Sequence, residues 1–277
     1  MNEVIEGLRL SPQQRHVWSL QQHDRVMPYR TQAMVRIDGP LDVASLLAAI
    51  ERVVQQHEIL RTTFCCLPGM TIPLQVINDR KQPLVVQLDL EGLEPERQET
   101  QIENLFSEMR RTAFDLEGGP LLHVSLVKIS ADRNMLLIAS PAMNEDEAGL
   151  RNLVREIVAM LSGESLARQP MQYADSSEWN NDLLEAPERK EGRAYWREQD
   201  FSAGSALDLP FKNANEREFT PEFISIQIEQ TTALEALAEK HNTSAALVLL
   251  ACWQVLLWRL TSHPQIVVGC ATDGRTR

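Results

Sequence analysis

Asn134-Met135-Leu136-Leu137-Ile138-Ala139-Ser140-Pro141-Ala142-Met143-Asn144-Glu145-Asp146-Glu147 changes character halfway along, and that change decides the fold. Met135 to Ile138 is an unbroken apolar run of strand length. Beyond Glu147, residues Leu150, Leu153, Val154, Ile157, Val158 and Leu161 recur at three-to-four spacing, which predicts a helix with one packed face. A strand, a short acidic loop and a core helix are therefore joined directly. Asn144 with Glu147 three residues later approximates a capping box, and a helix N-terminus keeps acids at 145–147 ionised.

Working outward, Leu121 to Ile129 reads as the strand paired with Asn134 to Ser140, and Thr31 to Ile37, Ile59 to Cys66 and Leu84 to Leu90 are further strands. Asp42 is placed to cap a helix in which Val43, Leu46, Leu47, Ile50, Val53 and Val54 share a face that ends near His57. Ile102, Leu105, Phe106 and Met109 mark a second amphipathic helix, ending before Gly118-Gly119. Residues 223–229 alternate as a half-buried strand; two helices and a strand over Gln265 to Ala271 follow. Ala245 to Trp258, broken by Gln254, is too short to span a bilayer and is expected to be a buried helix. Strands and helices alternate with no internal repeat, so the fold class is α/β (α+β), a mixed sheet covered by helices.

The 277 residues carry 27 Lys and Arg against 39 Asp and Glu, a net charge of −12, which gives counterion-release binding to nucleic acid no basis. The acidic start, Met1-Asn2-Glu3-Val4-Ile5-Glu6, lacks the features of a secretory signal, and a cytoplasmic chain without a membrane partner is expected. Cys65, Cys66, Cys252 and Cys270 have neither metal nor disulfide spacing and are expected to be core thiols. No glycine-rich phosphate loop, nucleophile elbow or zinc-helix motif is present, and the six histidines lie at no metal-ligand spacing, so no metal is implied. Between His123 and His241 there is no histidine at all.

Five blocks in fixed order give the chain a family likeness. They are Leu10-Ser11-Pro12-Gln13-Gln14-Arg15 with Trp18 and Leu20; Gln56-His57-Glu58-Ile59-Leu60-Arg61-Thr62-Thr63-Phe64; Phe114-Asp115-Leu116 with Gly119-Pro120-Leu121; Tyr173-Ala174-Asp175 with Trp179, Tyr195 and Trp196; and Val267-Val268-Gly269 with Gly274-Arg275. In this order they resemble the motifs of the condensation domains of non-ribosomal peptide synthetases, beginning with Ser-x-x-Gln-x-Arg and Arg-His-Glu-x-Leu-Arg-Thr-x-Phe. The resemblance implies a chloramphenicol acetyltransferase-like fold of two lobes with a tunnel between them. The family's domain is longer, so an N-terminal lobe over 1–165, an inter-lobe linker with helical segments over 166–220 and a truncated start of a C-terminal lobe over 221–277 are expected. An incomplete second lobe would favour self-association.

The family's central motif, His-His-x-x-x-Asp-Gly, falls on Pro141-Ala142-Met143-Asn144-Glu145-Asp146-Glu147. Its second histidine is thought to orient the acceptor amine or take its proton. Ala142 stands there, and only Asp146 matches. The resemblance implies that Asp146 is a structural acid paired with arginine, Arg61 or Arg275 being the available partners. Arg15, Ser11 and His57 would face the tunnel or the carrier, and Trp179 and Trp196 would be packing anchors between lobes. The implied function is a condensation-like component of peptide assembly that no longer condenses and acts by binding a peptidyl or aminoacyl carrier protein, another synthetase domain or a tailoring enzyme. The alternative is an active enzyme joining a donor acyl thioester to an acceptor amine, both on the phosphopantetheine arms of carrier proteins, with no cofactor of its own.

Overall fold

The apolar run at 135–138 has no polar alternation because its strand is covered on both faces and paired on both edges. In the computed structural model, which describes residues 7–23, 29–79, 81–164, 170–199, 209–210, 231–263 and 265–270, this strand is β7. Numbered along the chain, the strands are β1 (Leu8–Arg9), β2 (Arg30–Asp38), β3 (Thr62–Cys65), β4 (Leu74–Ile77), β5 (Leu84–Asp89), β6 (His123–Ser130) and β7 (Arg133–Pro141). The helices are α1 (Pro12–His23), α2 (Val43–Gln56), α3 (Pro95–Arg111), α4 (Glu147–Leu161), α5 (Tyr173–Glu185), α6 (Lys190–Glu198), α7 (Thr231–Lys240) and α8 (Ala245–Thr261).

The main sheet has the order β2-β7-β6-β5. β2 and β6 run antiparallel to β7, in registers that include Arg30↔Pro141 and His123↔Ala139, while β5 lies parallel to β6. Period two then sorts the side chains. Leu136 and Ile138, with Val124 and Leu126, pack under α2 and α4, while Leu137 and Val127 meet Ile102 and Leu105 of α3 on the opposite face. A smaller antiparallel sheet, β1-β4-β3, stands beside the main one. The strand expected over Ile59 to Cys66 is shorter than that, because residues 58–61 form a 3₁₀ turn before β3.

α2 begins and ends where its sequence dictates. Asp42 accepts a hydrogen bond from Ala44 N at 3.2 Å, His57 closes the helix, and Leu46, Ala49, Ile50, Val53 and Val54 are buried. α4 buries Leu150, Leu153 and Ile157, but Val158 and Leu161 of the expected stripe are exposed.

The chain divides into two compact units, residues 1–189 and 190–277. The linker expected from residue 166 is thus partly first-unit structure. Asn181 Nδ2 donates to Leu10 O at 3.0 Å, Ser177 Oγ donates to Arg9 O at 3.0 Å, and the Arg9 guanidinium meets Glu178 at 2.6 Å and Asp182 at 2.7 Å. These bonds fix α5 against β1.

In the second unit α7 and α8 meet at 97°, and Ser244 caps α8 by accepting from Leu247 N at 3.3 Å. Of α8 only Leu257 is buried; Trp253 and Trp258 are about half exposed, which overturns the expectation of a buried helix. Residues 265–270 form no strand, and the strand expected over 223–229 lies outside the described residues. Trp179, Tyr195 and Trp196 are more than half exposed, and the Tyr195 and Trp196 rings meet edge to face with centroids 5.3 Å apart. The cysteines are not core thiols: Cys65 is half-buried and the other three are exposed. Among the described residues no single helix is long and apolar enough to cross a membrane.

Ile50, 1% exposed in the main core, is expected on truncation to Ala to lose about 2–5 kcal/mol of unfolding free energy in urea. Val158→Ala, at a 53% exposed position of the same core's covering helix, should change it by less than about 0.5 kcal/mol.

Candidate functional site

β7 does not simply stop at Pro141. Ala142 N donates to Tyr29 O at 3.0 Å, and the Pro141 carbonyl accepts from Asn144 N at 2.9 Å and Glu145 N at 3.3 Å, so the chain folds back into a tight turn before α4. Two buried side-chain amides hold the turn. Asn144 Nδ2 donates to Ile59 O at 2.7 Å and Thr62 O at 3.2 Å, tying the loop to the 3₁₀ turn and the start of β3. Gln14 Nε2 donates to Met143 O at 3.0 Å and Gln75 Oε1 at 3.1 Å, while its Oε1 accepts from Ser11 N at 2.9 Å. Met143 itself is buried against Leu10, Phe64 and Leu121. Three of the five sequence blocks, around Ser11, His57 and Leu121, converge on this loop.

The start of α4 differs from the expected capping box. Asp146, not Asn144, is the cap: its Oδ1 accepts from Gly149 N at 2.7 Å. Asn144 is unavailable because its amide serves the two carbonyls of the neighbouring turn. Glu147, the first helical residue, is exposed and pairs with Arg151 at 2.5 Å.

Glu145 departs further from expectation. A carboxylate beside a helix start should remain ionised, yet this one is only 8% exposed and its Oε2 is buried with no hydrogen-bond partner. Burial, and then the charge of Asp146, push its acid up to about 8, so at neutral pH it is protonated. Ser140 Oγ and Asn144 Oδ1 are likewise buried without partners. These three oxygens lie within six residues, and no protein group fills their hydrogen-bonding capacity.

The other sequence-predicted positions take structural posts. Arg61 pairs with Glu58 at 3.4 Å and Asp79 at 3.3 Å, and Arg275 lies outside the described residues. Ser11, expected to face the tunnel, is 2% exposed and bonds Tyr173 Oη at 2.8 Å, so it is a joint between α1 and α5. Arg15 is exposed and donates to Asn181 Oδ1. Counted from Ser11, the Ser-x-x-Gln-x-Arg spacing lands on Gln14 and His16, with Arg15 one residue early.

His57 Nε2 meets Glu156 at 2.6 Å, locking the end of α2 to α4. His123 lies against Phe114, with ring centroids 4.7 Å apart and Nε2 3.1 Å from Pro120 O; burial lowers its pKa, opposed by that carbonyl and aided by Arg30, whose guanidinium stacks on the same Phe114 ring. Sequence reasoning missed Gln75 and the role of Gln14. For Gln14 the signal available was the Ser-x-x-Gln spacing itself, which places Ser11 and Gln14 in one turn; Gln75 is brought in only by the pairing of β4.

The architecture and the converging blocks are those of a condensation-type lobe. The condensation-domain family profile matches residues 4–277, and the chain belongs to that family. Tyrocidine synthase 2 of Brevibacillus parabrevis is 32% identical over 271 residues, covering 96% of this chain and 7% of that protein. Among solved structures, the condensation domain of the Monacolin K polyketide synthase MokA superposes with a TM-score of 0.75 at 21% identity, covering 94% of this chain and 61% of that one. The X-domain in the complex of X-domain and OxyB from teicoplanin biosynthesis superposes with a TM-score of 0.72 at 22% identity, covering 94% and 58%. The chain thus spans about three-fifths of the solved domains and a small fraction of the synthetase. Its fold is the chloramphenicol acetyltransferase-like fold of condensation domains, with mixed sheet and covering helices as expected.

Glu145 binds a proton in the folded state that the unfolded chain releases at its ordinary value of 4.5. The stability it supports is therefore complete below that value and is lost as pH rises toward about 8, at roughly 1.4 kcal/mol per pH unit. Denaturant titrations at several pH values should show this slope in the wild type and its absence in Glu145→Gln. Replacing Gln14 by Met, which strands Met143 O, Ser11 N and Gln75 Oε1, is expected to cost roughly 3 kcal/mol in the same assay.

Proposed function

We propose that this chain is a condensation-family component of non-ribosomal peptide assembly that binds its partners without forming the amide bond. The observation that carries this reading is the composition of the loop at the end of β7. The place of the proton-handling imidazole is taken by Ala142, and the preceding position by Pro141. Neither side chain accepts a proton, and the nearest buried acid, Glu145, already holds one at neutral pH. General-base assistance needs a group of suitable pKa within hydrogen-bond reach of the amine. The frame of the loop is nevertheless kept by Gln14 and Asn144, so the surface it supports remains shaped for binding.

The partner of this reading is a carrier protein presenting its substrate on a phosphopantetheine arm. A tailoring enzyme is the other partner class, supported by the similarity to the teicoplanin X-domain, which forms a complex with OxyB. Substrate positioning alone accelerates acyl transfer substantially, so the reading must be tested on loaded carriers. Donor and acceptor carrier proteins, each charged with an aminoacyl group, are mixed with the purified chain, and thioester products are read by mass. The expected result is no condensed product together with saturable binding of the loaded carrier. Condensed product that disappears in Asp146→Ala would establish the active alternative and overturn the proposal.

A further inference from the structure

The loop described above contains one ionisable group that its frame does not use. Glu145 is tucked beside the start of α4: a Cβ placed on Gly149 would lie 3.7 Å from the Glu145 Cβ and 3.3 Å from Asp146 Oδ1. The chain on either side is pinned, Asn144 by its two carbonyls and α4 by Leu150, Leu153 and Ile157 in the core. Glu145 and Asp146 are the only two residues between those anchors. The Glu145 main chain is held by two long contacts, its N to Pro141 O at 3.3 Å and Thr31 Oγ1 to its O at 3.4 Å, and its side-chain Oε2 has no protein partner.

Among the described residues no counter-charge is engaged with it. On the elements nearby, Arg61 is paired with Glu58 and Asp79, His57 with Glu156, and Arg151 with Glu147. Arg30 donates to Thr112 O and lies over Phe114. The charge that acts on Glu145 is that of Asp146, of the same sign. A carboxylate formed here would be 8% exposed, with no protein donor at Oε2 and a like charge next door, and the nearest relief is water.

We propose that Glu145 is a proton-operated latch: as the neutral acid it stays packed beneath the start of α4, and on losing its proton it turns out to solvent and carries Asp146 off the helix end. The loop then has two states. In the acid state Asp146 caps Gly149 and the end of β7 is closed over. In the carboxylate state the cap is released and the Ser140 and Asn144 oxygens gain access to water. The latch operates whether or not the chain condenses, because it concerns only the residues between Asn144 and Gly149.

The amide of Gly149, which donates to Asp146, is the natural reporter. In a proton–nitrogen correlation series from pH 6 to pH 10, the wild-type Gly149 resonance should move with a single midpoint near 8, in step with the side-chain carboxyl carbon of Glu145 in carbon-13 glutamate-labelled protein. Glu145→Gln should hold Gly149 at its low-pH position throughout. A Gly149 resonance that stays still in the wild type while the Glu145 carboxyl carbon titrates would overturn the latch, as would the same Gly149 transition persisting in Glu145→Gln. Should the Gln variant not fold, the wild-type comparison of the two resonances decides the matter by itself.

Discussion

The carboxamide of Gln14 is buried where α1, β4 and the loop after β7 meet, and all of its polar valence there is spoken for. Its amino group serves Met143 O and Gln75 Oε1, and its oxygen receives Ser11 N. Gln75 in turn reaches Arg9 O at 2.8 Å, and through Ser177 the same patch reaches α5. A buried amide with every group bonded is favourable, whereas the same amide half-bonded is a liability. The pieces around it must therefore assemble together. This constraint places the loop relative to the small sheet, and the loop in turn fixes where α4 begins.

How much of this could be read from the chain follows from which interactions are local. α2 declared itself fully, because Asp42 and a one-faced apolar stripe are contained in fifteen consecutive residues. The pairing of β6 with β7 was equally legible, since two apolar runs flank a short turn. β1 and β4 were not, being two and four residues long and stabilised by partners distant in sequence. α5 looked like linker because its composition is polar; its buried face consists of Ala174, Ser177 and Asn181, which are small or amide-bearing and give no hydrophobic stripe.

At the site the sequence located the loop at the end of β7, but not its electrostatics. Asn144 and Asp146 both satisfy the rules for a helix cap, and the choice between them was made by the carbonyls of Ile59 and Thr62, which lie 85 and 82 residues from Asn144 in the chain. Glu145 followed the same logic in reverse. Local rules assign it to solvent, and tertiary enclosure denies it water. The hydroxyl of Ser11, a residue expected at the tunnel, is bonded to Tyr173 Oη, again a partner supplied only by folding.

The mixed character of the main sheet has a bearing on how it is put together. β7 with β2 and β6 are antiparallel neighbours, and the β6–β7 hairpin closes through two residues, but β5 joins β6 in parallel. A parallel neighbour cannot be reached by a hairpin; the chain must travel from Asp89 through the whole of α3 before it returns at His123. Closing that excursion carries a larger entropic penalty than closing the hairpin. The rim strand that bears the exposed Leu84 and Val86 is thus costlier to close than the hairpin it joins, and its outer face is left open to solvent.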